Sequence, residues 1–240
     1  MIIELKRLWK QAFGDPEDFV DVFFATGYSP DRCRYLTVDG HLAAALYWFD
    51  CSCRGEKIAY IYGVATDVHF QKQGLCRKLM EQTHAQLRKQ GYAGAVLVPG
   101  SKTLFALYEK LGYRTCSHVA AFSCEAGTPI PLRPIDTAAY AALRLRYLPA
   151  GGVLQEGVTL DFLAAFARFY AGDGFVLAAT PEGKQLYIHE LLGTADAAGI
   201  VAALGANTGR VRTPGNEVPF AMYYGFTTAP PPAYFGLALD

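Results

Sequence analysis

The chain of 240 residues is 52% apolar and 18% charged, which supplies a large core and excludes intrinsic disorder. Its 22 Lys and Arg residues balance 22 Asp and Glu residues, so the formal charge is zero. This balance argues against a nucleic-acid-binding protein that works by bulk phosphate neutralisation. No apolar run approaches the roughly 20 residues that span a bilayer. We therefore expect no nucleic-acid partner and no membrane partner.

Two further features bear on the compartment and on metal binding. The first residues lack the apolar core and cleavage site of a signal peptide, which predicts a cytoplasmic location. The six cysteines form no CxxC pair, and none lies at zinc-site spacing from a histidine. We expect free thiols and no metal site.

Helical and extended patterns alternate in the first half. Apolar residues at helical spacing indicate a first helix that ends at Gly14 and a second that begins after Asp15. Asp39-Gly40 between two extended runs is typical of a β-hairpin. After these two helices, the predicted elements are strands at 34–38, 42–49 and 57–66, a helix from Gly74 to Gly91, a strand at 93–98, a helix at 101–111 and a strand at 113–123.

A Pro-rich segment at 128–134 predicts a domain boundary, with one domain at 1–126 and another at 127–240. In the second half we expect helices at 138–147 and 160–170 and a hairpin over 175–192. His189-Glu190 is interpreted as a surface or inter-domain pair. The run at 229–236 could reach across to the first half, and the tail at 237–240 places a carboxylate at a position that the sequence does not fix.

Short matches in the same order indicate that the second half repeats the first. Residues 98–101 match 213–216, 105–108 match 220–223, and 60–62 match 187–189. Under this alignment, Tyr223 takes the place of Tyr108. The interval from 66 to 91 corresponds to the shorter interval from 193 to 205, so the second copy lacks a segment after its strand.

The segment without a counterpart runs from a strand into a helix. Its residues are Gln71, Lys72, Gln73, Gly74, Leu75, Cys76 and Arg77. A loop that enters a helix N-terminus presents unpaired N–H groups and the positive end of the helix dipole, and this favours phosphate binding. Gly74 allows close approach of a ligand because it has no Cβ. The alternative is an ordinary surface turn.

A larger set of motifs surrounds this loop. In order, it comprises residues 63–66, the Q-x-x-G-x-C loop, a helix and a strand, and L-Y-E-K-L-G-Y at 107–113. The set resembles the GNAT superfamily of acyl-CoA-dependent N-acyltransferases. The resemblance covers 1–126 and extends more faintly over 129–240. It implies an α/β chain of two tandem GNAT-like domains, each a twisted mixed sheet flanked by helices. The domain at 1–126 would hold the CoA site, and the domain at 127–240 would be degenerate, without the pyrophosphate loop.

The resemblance also implies a site for acetyl-CoA as the acyl-donor cosubstrate. Pantetheine would enter between splayed strands and bond to backbone groups of Gly63, Val64 and Ala65. Backbone N–H groups of the loop at 71–77 would hold the pyrophosphate. The sequence departs from the family at Cys76, where Gly or Ala is usual, and at Ser101, where many relatives place a cofactor-contacting Asn.

The implied reaction is direct attack of an amine on the thioester, with Tyr108 as the general acid for the leaving thiolate. The acceptor would be a small-molecule or peptide amine, and the chain a monomer or homodimer. Asp67 and His69 are the nearest titratable groups, and the general base stays unassigned. The aromatic residues Phe19, Phe23 and Phe24 belong either to an acceptor pocket or to the core. Two alternatives are a non-catalytic acyl-CoA-binding or regulatory protein of the same fold, and an interaction scaffold that binds no CoA.

Overall fold

The computed structural model describes residues 1–239, in which helices flank a 12-stranded mixed sheet. The elements of the first half are, in chain order, α1 (Ile2–Phe13), α2 (Glu17–Val22), β1 (Cys33–Val38), β2 (His41–Cys53), β3 (Glu56–Thr66), α3 (Leu75–Lys89), β4 (Gly94–Leu97), α4 (Lys102–Lys110) and β5 (Arg114–Glu125). The amphipathic α1 buries Leu5, Leu8 and Trp9, and Gly14 ends it in the left-handed conformation. These elements confirm the order that the sequence predicts for this half.

On average, the α-helices of the second half are shorter than those of the first half. Its elements are β6 (Arg133–Ile135), α5 (Thr137–Tyr147), β7 (Leu154–Gln155), α6 (Val158–Ala164), β8 (Arg168–Gly172), β9 (Phe175–Glu182), β10 (Gln185–Gly193), α7 (Ala197–Ala203), β11 (Thr208–Pro214) and β12 (Val218–Gly225). The predicted hairpin is confirmed as β9 and β10, which pair antiparallel. No helix within residues 1–239 is long and apolar enough to cross a membrane. All six cysteines are free thiols, and Cys51 and Cys53 are buried.

Two predictions for the second half are wrong. The helix expected at 160–170 ends at Ala164, and strand β8 begins at Arg168. The side chains of β8 alternate between more exposed and buried positions, as the side chains of a strand in a sheet do. Residues 220–223 form part of β12 rather than a counterpart of α4, so the alignment of Tyr223 with Tyr108 fails. This apolar run is buried between two strands, and such a run fits a helix or a covered strand equally well from sequence alone.

The two halves share one continuous sheet and exchange strands within it. The strand order is β1-β2-β3-β4-β12-β5-β11-β10-β9-β8-β6, with β7 paired to β2 off this path. Strand β12 of the second half lies between β4 and β5 of the first. Strand β5 in turn lies between β12 and β11, both from the second half. The expected mixed sheet with flanking helices is confirmed, and its two halves are joined rather than separate.

Each half contains one parallel strand pair with a helical crossover, β3-α3-β4 and β10-α7-β11. Successive side chains of β3 point to opposite faces of the sheet. Tyr60 packs into the cluster that contains residues of α1, α6 and the segment 234–239. Ile61 packs into the cluster formed with α3 and Tyr108. The sheet therefore separates an α1 face from an α3 face.

Candidate functional site

A cleft opens where the central parallel strands separate. Pairing between β3 and β4 covers three positions and ends at Tyr60 opposite Val96, although β3 continues to Thr66. Beyond that point lies a cavity of about 690 Å³, lined by residues 60–64 of β3 and by the segment 97–101. This volume is within the range of small-molecule sites. The lining includes residues from both faces of the sheet, so the cavity passes through the gap between the strands.

A β-bulge shapes the edge of β3 at this gap. Tyr47 pairs with Tyr62 and Ala45 pairs with Ala65, which leaves two residues of β3 opposite one residue of β2. Gly63 is the first of the two and has φ 58°. A Cβ on Gly63 would lie 2.8 Å from an indole carbon of Trp9, so only glycine fits here.

Sequence-predicted pantetheine contacts lie at this bulge. Gly63 and Val64 line the cavity, and Ala65 follows them as a buried residue outside the lining. Since β4 has diverged, the β4-facing backbone edge of β3 has no strand partner past Tyr60 within the described residues. Ser101 also lines the cavity and is the N-cap of α4, and its hydroxyl lies 2.9 Å from the Thr103 hydroxyl.

The predicted pyrophosphate loop forms the entrance to α3. Lys72 and Gly74 both have positive φ, 61° and 77°, and Gly74 is the N-cap. The first helical hydrogen bond runs from the Lys78 N–H to the Gly74 carbonyl at 3.1 Å. The N–H groups of Leu75, Cys76 and Arg77 therefore have no acceptor within the helix. No atom lies within 4 Å of a Cβ placed on Gly74, so the space above these N–H groups is open.

Side chains of the loop fix its shape and give it positive charge. The Gln71 amide donates to the Thr66 carbonyl at 3.3 Å, and the Gln73 amide donates to the His69 carbonyl at 3.4 Å. Lys72 and Arg77 are exposed on the rim of the loop. The resulting arrangement can bind an anion, since exposed N–H groups, the helix dipole and two cations converge.

Asp67 connects this loop to α1. It is 2% exposed and accepts hydrogen bonds from the His69 N–H at 3.0 Å and the Arg7 guanidinium at 3.1 Å. Burial alone would raise the pKa of Asp67, but the bonds from His69 and Arg7 hold it below its usual value. Neither Asp67 nor His69 lines the cavity. Asp67 thus links the loop to α1 through these hydrogen bonds and lies outside the cavity.

Tyr108 lies on α4 and lines the cavity from the α3 face. Its side chain is 7% exposed, and its hydroxyl has no hydrogen-bond partner among the described residues. Burial, followed by the nearby Cys76 thiol, raises the pKa of Tyr108 above its ordinary value. The phenol therefore keeps its proton at neutral pH.

The α1 face of the cavity is aromatic, and it includes Trp9 and Phe13, which were not among the predicted site residues. Trp9, Phe13 and Phe19 line it, whereas Phe23 is fully buried against Trp9 with ring centroids 4.4 Å apart. Phe24 packs against the same core. Of the three aromatic residues left open by the sequence, Phe19 belongs to the cavity, and Phe23 and Phe24 belong to the core.

The second half closes this side of the cavity. The segment 237–239 is buried, and the Tyr62 hydroxyl donates to the Leu239 carbonyl at 2.7 Å. The Leu239 N–H donates to the Tyr60 hydroxyl at 3.3 Å. Phe220 of β12 also lines the cavity. The expected reach of residues 229–236 to the first half is confirmed, since the Arg54 guanidinium donates to the Pro231 carbonyl at 3.1 Å. Asp240 lies outside the described residues.

Comparison with known proteins supports the interpretation of this fold. Residues 2–116 match the family model of the acetyltransferase (GNAT) domain. No curated protein matches the chain. A GCN5-related N-acetyltransferase from Kribbella flavida has 18% identity and a TM-score of 0.69, over 92% of this chain and 68% of that chain.

Two other solved structures have similar folds. A GCN5-related N-acetyltransferase from Anabaena variabilis has 14% identity and a TM-score of 0.73, over 92% of this chain and 69% of that chain. A tandem GNAT protein from the clavulanic acid biosynthesis pathway has 9% identity and a TM-score of 0.55, over 95% of this chain and 96% of that chain. Residues 2–116 therefore match the acetyltransferase (GNAT) domain, and the chain as a whole has the fold of these solved GNAT structures.

Proposed function

We propose that this chain is an N-acetyltransferase that moves an acetyl group from acetyl-CoA to a primary amine by direct attack. The observation that carries the proposal is the cavity between β3 and β4, which joins the two faces of the sheet. Its α3 side holds Tyr108, which lies near Cys76 of the loop at 71–77, while its α1 side is aromatic. A donor and an acceptor that enter from opposite faces would meet in the strand gap.

The donor would bind along the loop and the bulge. The N–H groups of residues 73–77 would hold the pyrophosphate, helped by the charges of Lys72 and Arg77. Pantetheine would lie along the open edge of β3 and bond to backbone groups of residues 63–65, as an added strand does. Ser101 would contact the cofactor from the other wall of the gap. The thioester would then lie beside Tyr108.

The chemistry needs little beyond orientation and two proton transfers. The amine nitrogen, in its neutral form, attacks the thioester carbonyl carbon, a C–N bond forms, the C–S bond breaks, and the nitrogen loses one proton to solvent. Tyr108 donates its proton to the leaving thiolate, and solvent reprotonates the phenolate. Holding the two reactants in the gap supplies much of the acceleration, because effective concentrations of oriented groups are very high.

Calorimetric titration with acetyl-CoA tests the donor site. Gly74→Glu places bulk and negative charge at the helix N-terminus, and we expect it to weaken binding at least about tenfold. Gly91→Glu is the matched control. Gly91 has φ 78° and open space around its Cβ position, as Gly74 does, but it lies just past the other end of α3. Equal effects of the two variants, or no binding by the wild type, would refute the donor site.

Tyr108→Phe tests the chemistry. The variant should lower the rate of thiol release by about 100-fold, the low end for a general acid, because a thiolate is already a good leaving group. Acetyl-CoA binding should be unchanged. An unchanged rate would remove Tyr108 from the mechanism. Binding of acetyl-CoA with no transfer to any amine would favour a non-catalytic acyl-CoA-binding protein.

We further propose that residues 127–240 are a degenerate domain without a CoA site of its own. Its crossover helix α7 is only seven residues long and begins four positions after β10 ends, so no loop comparable to 67–74 precedes it. This half would contribute strand β12 and the acceptor wall instead.

A further inference from the structure

The α1 side of the cavity has one charged side chain on an aromatic wall. We name this region the acceptor chamber and define it by Trp9, Phe13, Asp15, Phe19, Tyr60 and Tyr62. Asp15 supplies the only charge among the cavity-lining residues within 1–239. The other five members are aromatic rings, whose faces attract cations as well as apolar groups.

Asp15 is held in place by the wall itself. It follows α1 in the link to α2 and is half-buried, and the Trp9 indole N–H donates to its Oδ2 at 2.8 Å. Its Oδ1 accepts no hydrogen bond from the described part of the chain. A carboxylate oxygen that faces a cavity and has no partner can bind a donor, and a cationic one bonds most strongly.

Trp9 also links Asp15 to the proposed acetyl position. The same indole packs against Gly63 at the β3 bulge, where a Cβ would come within 2.8 Å of it. It packs against Phe23, with ring centroids 4.4 Å apart, and lies near Tyr47 and Tyr62. Trp9 therefore fixes the carboxylate relative to the backbone edge that would hold the thioester, as acid–base catalysis requires.

We infer that the acceptor is a primary amine with one positive charge on an aromatic or similarly apolar body, an arylalkylamine, and that Asp15 binds and deprotonates it. This inference rests on the proposed acetyl transfer. The ammonium group would donate to Asp15 Oδ1 and pass one proton to it, directly or through one water. The freed lone pair then attacks the thioester carbonyl carbon, the C–S bond breaks, and the leaving thiolate takes a proton from Tyr108. The nitrogen loses its second proton to solvent, the proton on Asp15 also leaves to solvent, and solvent reprotonates Tyr108.

The chamber disfavours two other classes of amine. A polyamine carries further cations, and the chamber offers no second carboxylate within residues 1–239. An amino acid carries its own carboxylate close to the amine, and this group would face Asp15 in an apolar setting where like charges repel strongly. The body of an arylalkylamine instead meets the rings of Phe13 and Phe19.

Direct binding tests the acceptor class without any need for turnover. 2-Phenylethylamine is titrated calorimetrically into the full chain, alone and saturated with CoA, beside phenylalanine, which differs only by its carboxylate, and spermidine. We expect 2-phenylethylamine to bind at least about tenfold more tightly than either competitor. Equal or tighter binding of phenylalanine or spermidine overturns the inference.

Asp15→Asn tests the residue. The asparagine oxygen can still accept from the Trp9 indole, so the wall should keep its shape. Glu17→Gln is the matched control, because it also removes one negative charge. Glu17 lies two positions after Asp15 in the chain, and its side chain is 78% exposed and outside the cavity. We expect Asp15→Asn to weaken 2-phenylethylamine binding at least about tenfold and the control to change it less than about twofold.

Kinetics separate this inference from the proposed function. In Asp15→Asn, kcat/KM for 2-phenylethylamine should fall, and Asp15→Glu should restore part of it. The KM for acetyl-CoA should stay unchanged. Loss of acetyl-CoA binding in the wild type would refute the proposed function. Intact acetyl-CoA binding with an unaltered Asp15→Asn variant would refute the acceptor assignment alone.

Discussion

Glu190→Gln removes one partner of a fully buried ion pair in the second half. The Arg144 Nε donates to Glu190 Oε2 at 2.6 Å and its Nη2 to Oε1 at 3.2 Å, and both side chains are 0% exposed. Tyr234 donates its hydroxyl proton to the same carboxylate at 3.1 Å. Arg144 also donates to Gln155, whose amide donates to the Leu237 carbonyl at 2.6 Å. The pair therefore anchors the segment that closes the acceptor chamber.

The cost of the substitution follows from burial. Nearby Glu190 raises the pKa of Arg144 despite desolvation, so the guanidinium stays charged. Replacing the carboxylate by an amide leaves that charge uncompensated, which costs about 3–5 kcal/mol in buried pairs. Asp21→Asn is the control, because Lys6 and Asp21 have the same 2.6 Å separation with side chains 34% and 57% exposed. Exposed pairs contribute about 1 kcal/mol or less.

Urea unfolding at neutral pH measures both variants. A loss of 3–5 kcal/mol corresponds to a fall in Tm of roughly 6–20 °C for a chain of this size. Glu190→Gln should also raise the KM for the amine more than the KM for acetyl-CoA, because Ala238 and Leu239 line the cavity and Leu239 bonds to Tyr60 and Tyr62 of the acceptor chamber. If Glu190→Gln costs no more stability than Asp21→Asn, the argument from burial is wrong.

Three other perturbations test the fold around the site. Burial lowers the pKa of His84 from 6.5 to about 4. Neutral His84 therefore contributes about 3 kcal/mol to the free energy of unfolding; this contribution is complete above pH 6.5 and is lost as the pH falls towards 4. Urea unfolding at about pH 7 and about pH 4.5 should show a smaller pH dependence in His84→Gln than in the wild type. Gly63→Ala should destabilise the chain by at least about 1–2 kcal/mol more than Gly14→Ala, because Gly14 has a similar positive φ but open space around its Cβ position. Only Gly63→Ala should weaken acetyl-CoA binding in calorimetry. Fragment 1–126 alone should aggregate in size-exclusion chromatography and should form a stable complex when co-expressed with 127–240, because both neighbours of β5 come from the second half; a monomeric 1–126 with full acetyl-CoA affinity contradicts this expectation.

Local signals account for what the sequence predicts well. Asp39-Gly40 forms the β1–β2 turn with φ 49° and 80°, and Gly91 and Gly112 follow helix ends with positive φ, as glycine placement predicts. The loop at Gly74 follows from the same kind of pattern. Such features depend on a few neighbouring residues, so they can be recognised without knowledge of the rest of the fold.

Features that depend on distant partners could not be predicted in this way. His189-Glu190 was interpreted as a surface or inter-domain pair. Glu190 is fully buried because Arg144 and Tyr234, both more than forty positions away, meet it in the core. Asp15 showed no motif, and its place in the cavity depends on Trp9 and on the splayed strands. The strand at 218–225 depends on pairing with β4 and β5 of the other half.

The strand exchange explains why a half without a CoA loop contributes to the site. Strand β4 pairs with β3 at three positions and with β12 at four, so β12 holds the far edge of β4 where β3 leaves it. Tyr223 strengthens this edge, since its hydroxyl donates to the Ala93 carbonyl at 3.1 Å. On the other wall, Trp9 and the bulge at Gly63 fix β3. The width of the gap is thus set by both halves together. A substitution in β12 that shifts β4 should therefore alter donor binding, although β12 is not part of the predicted pyrophosphate loop at 71–77.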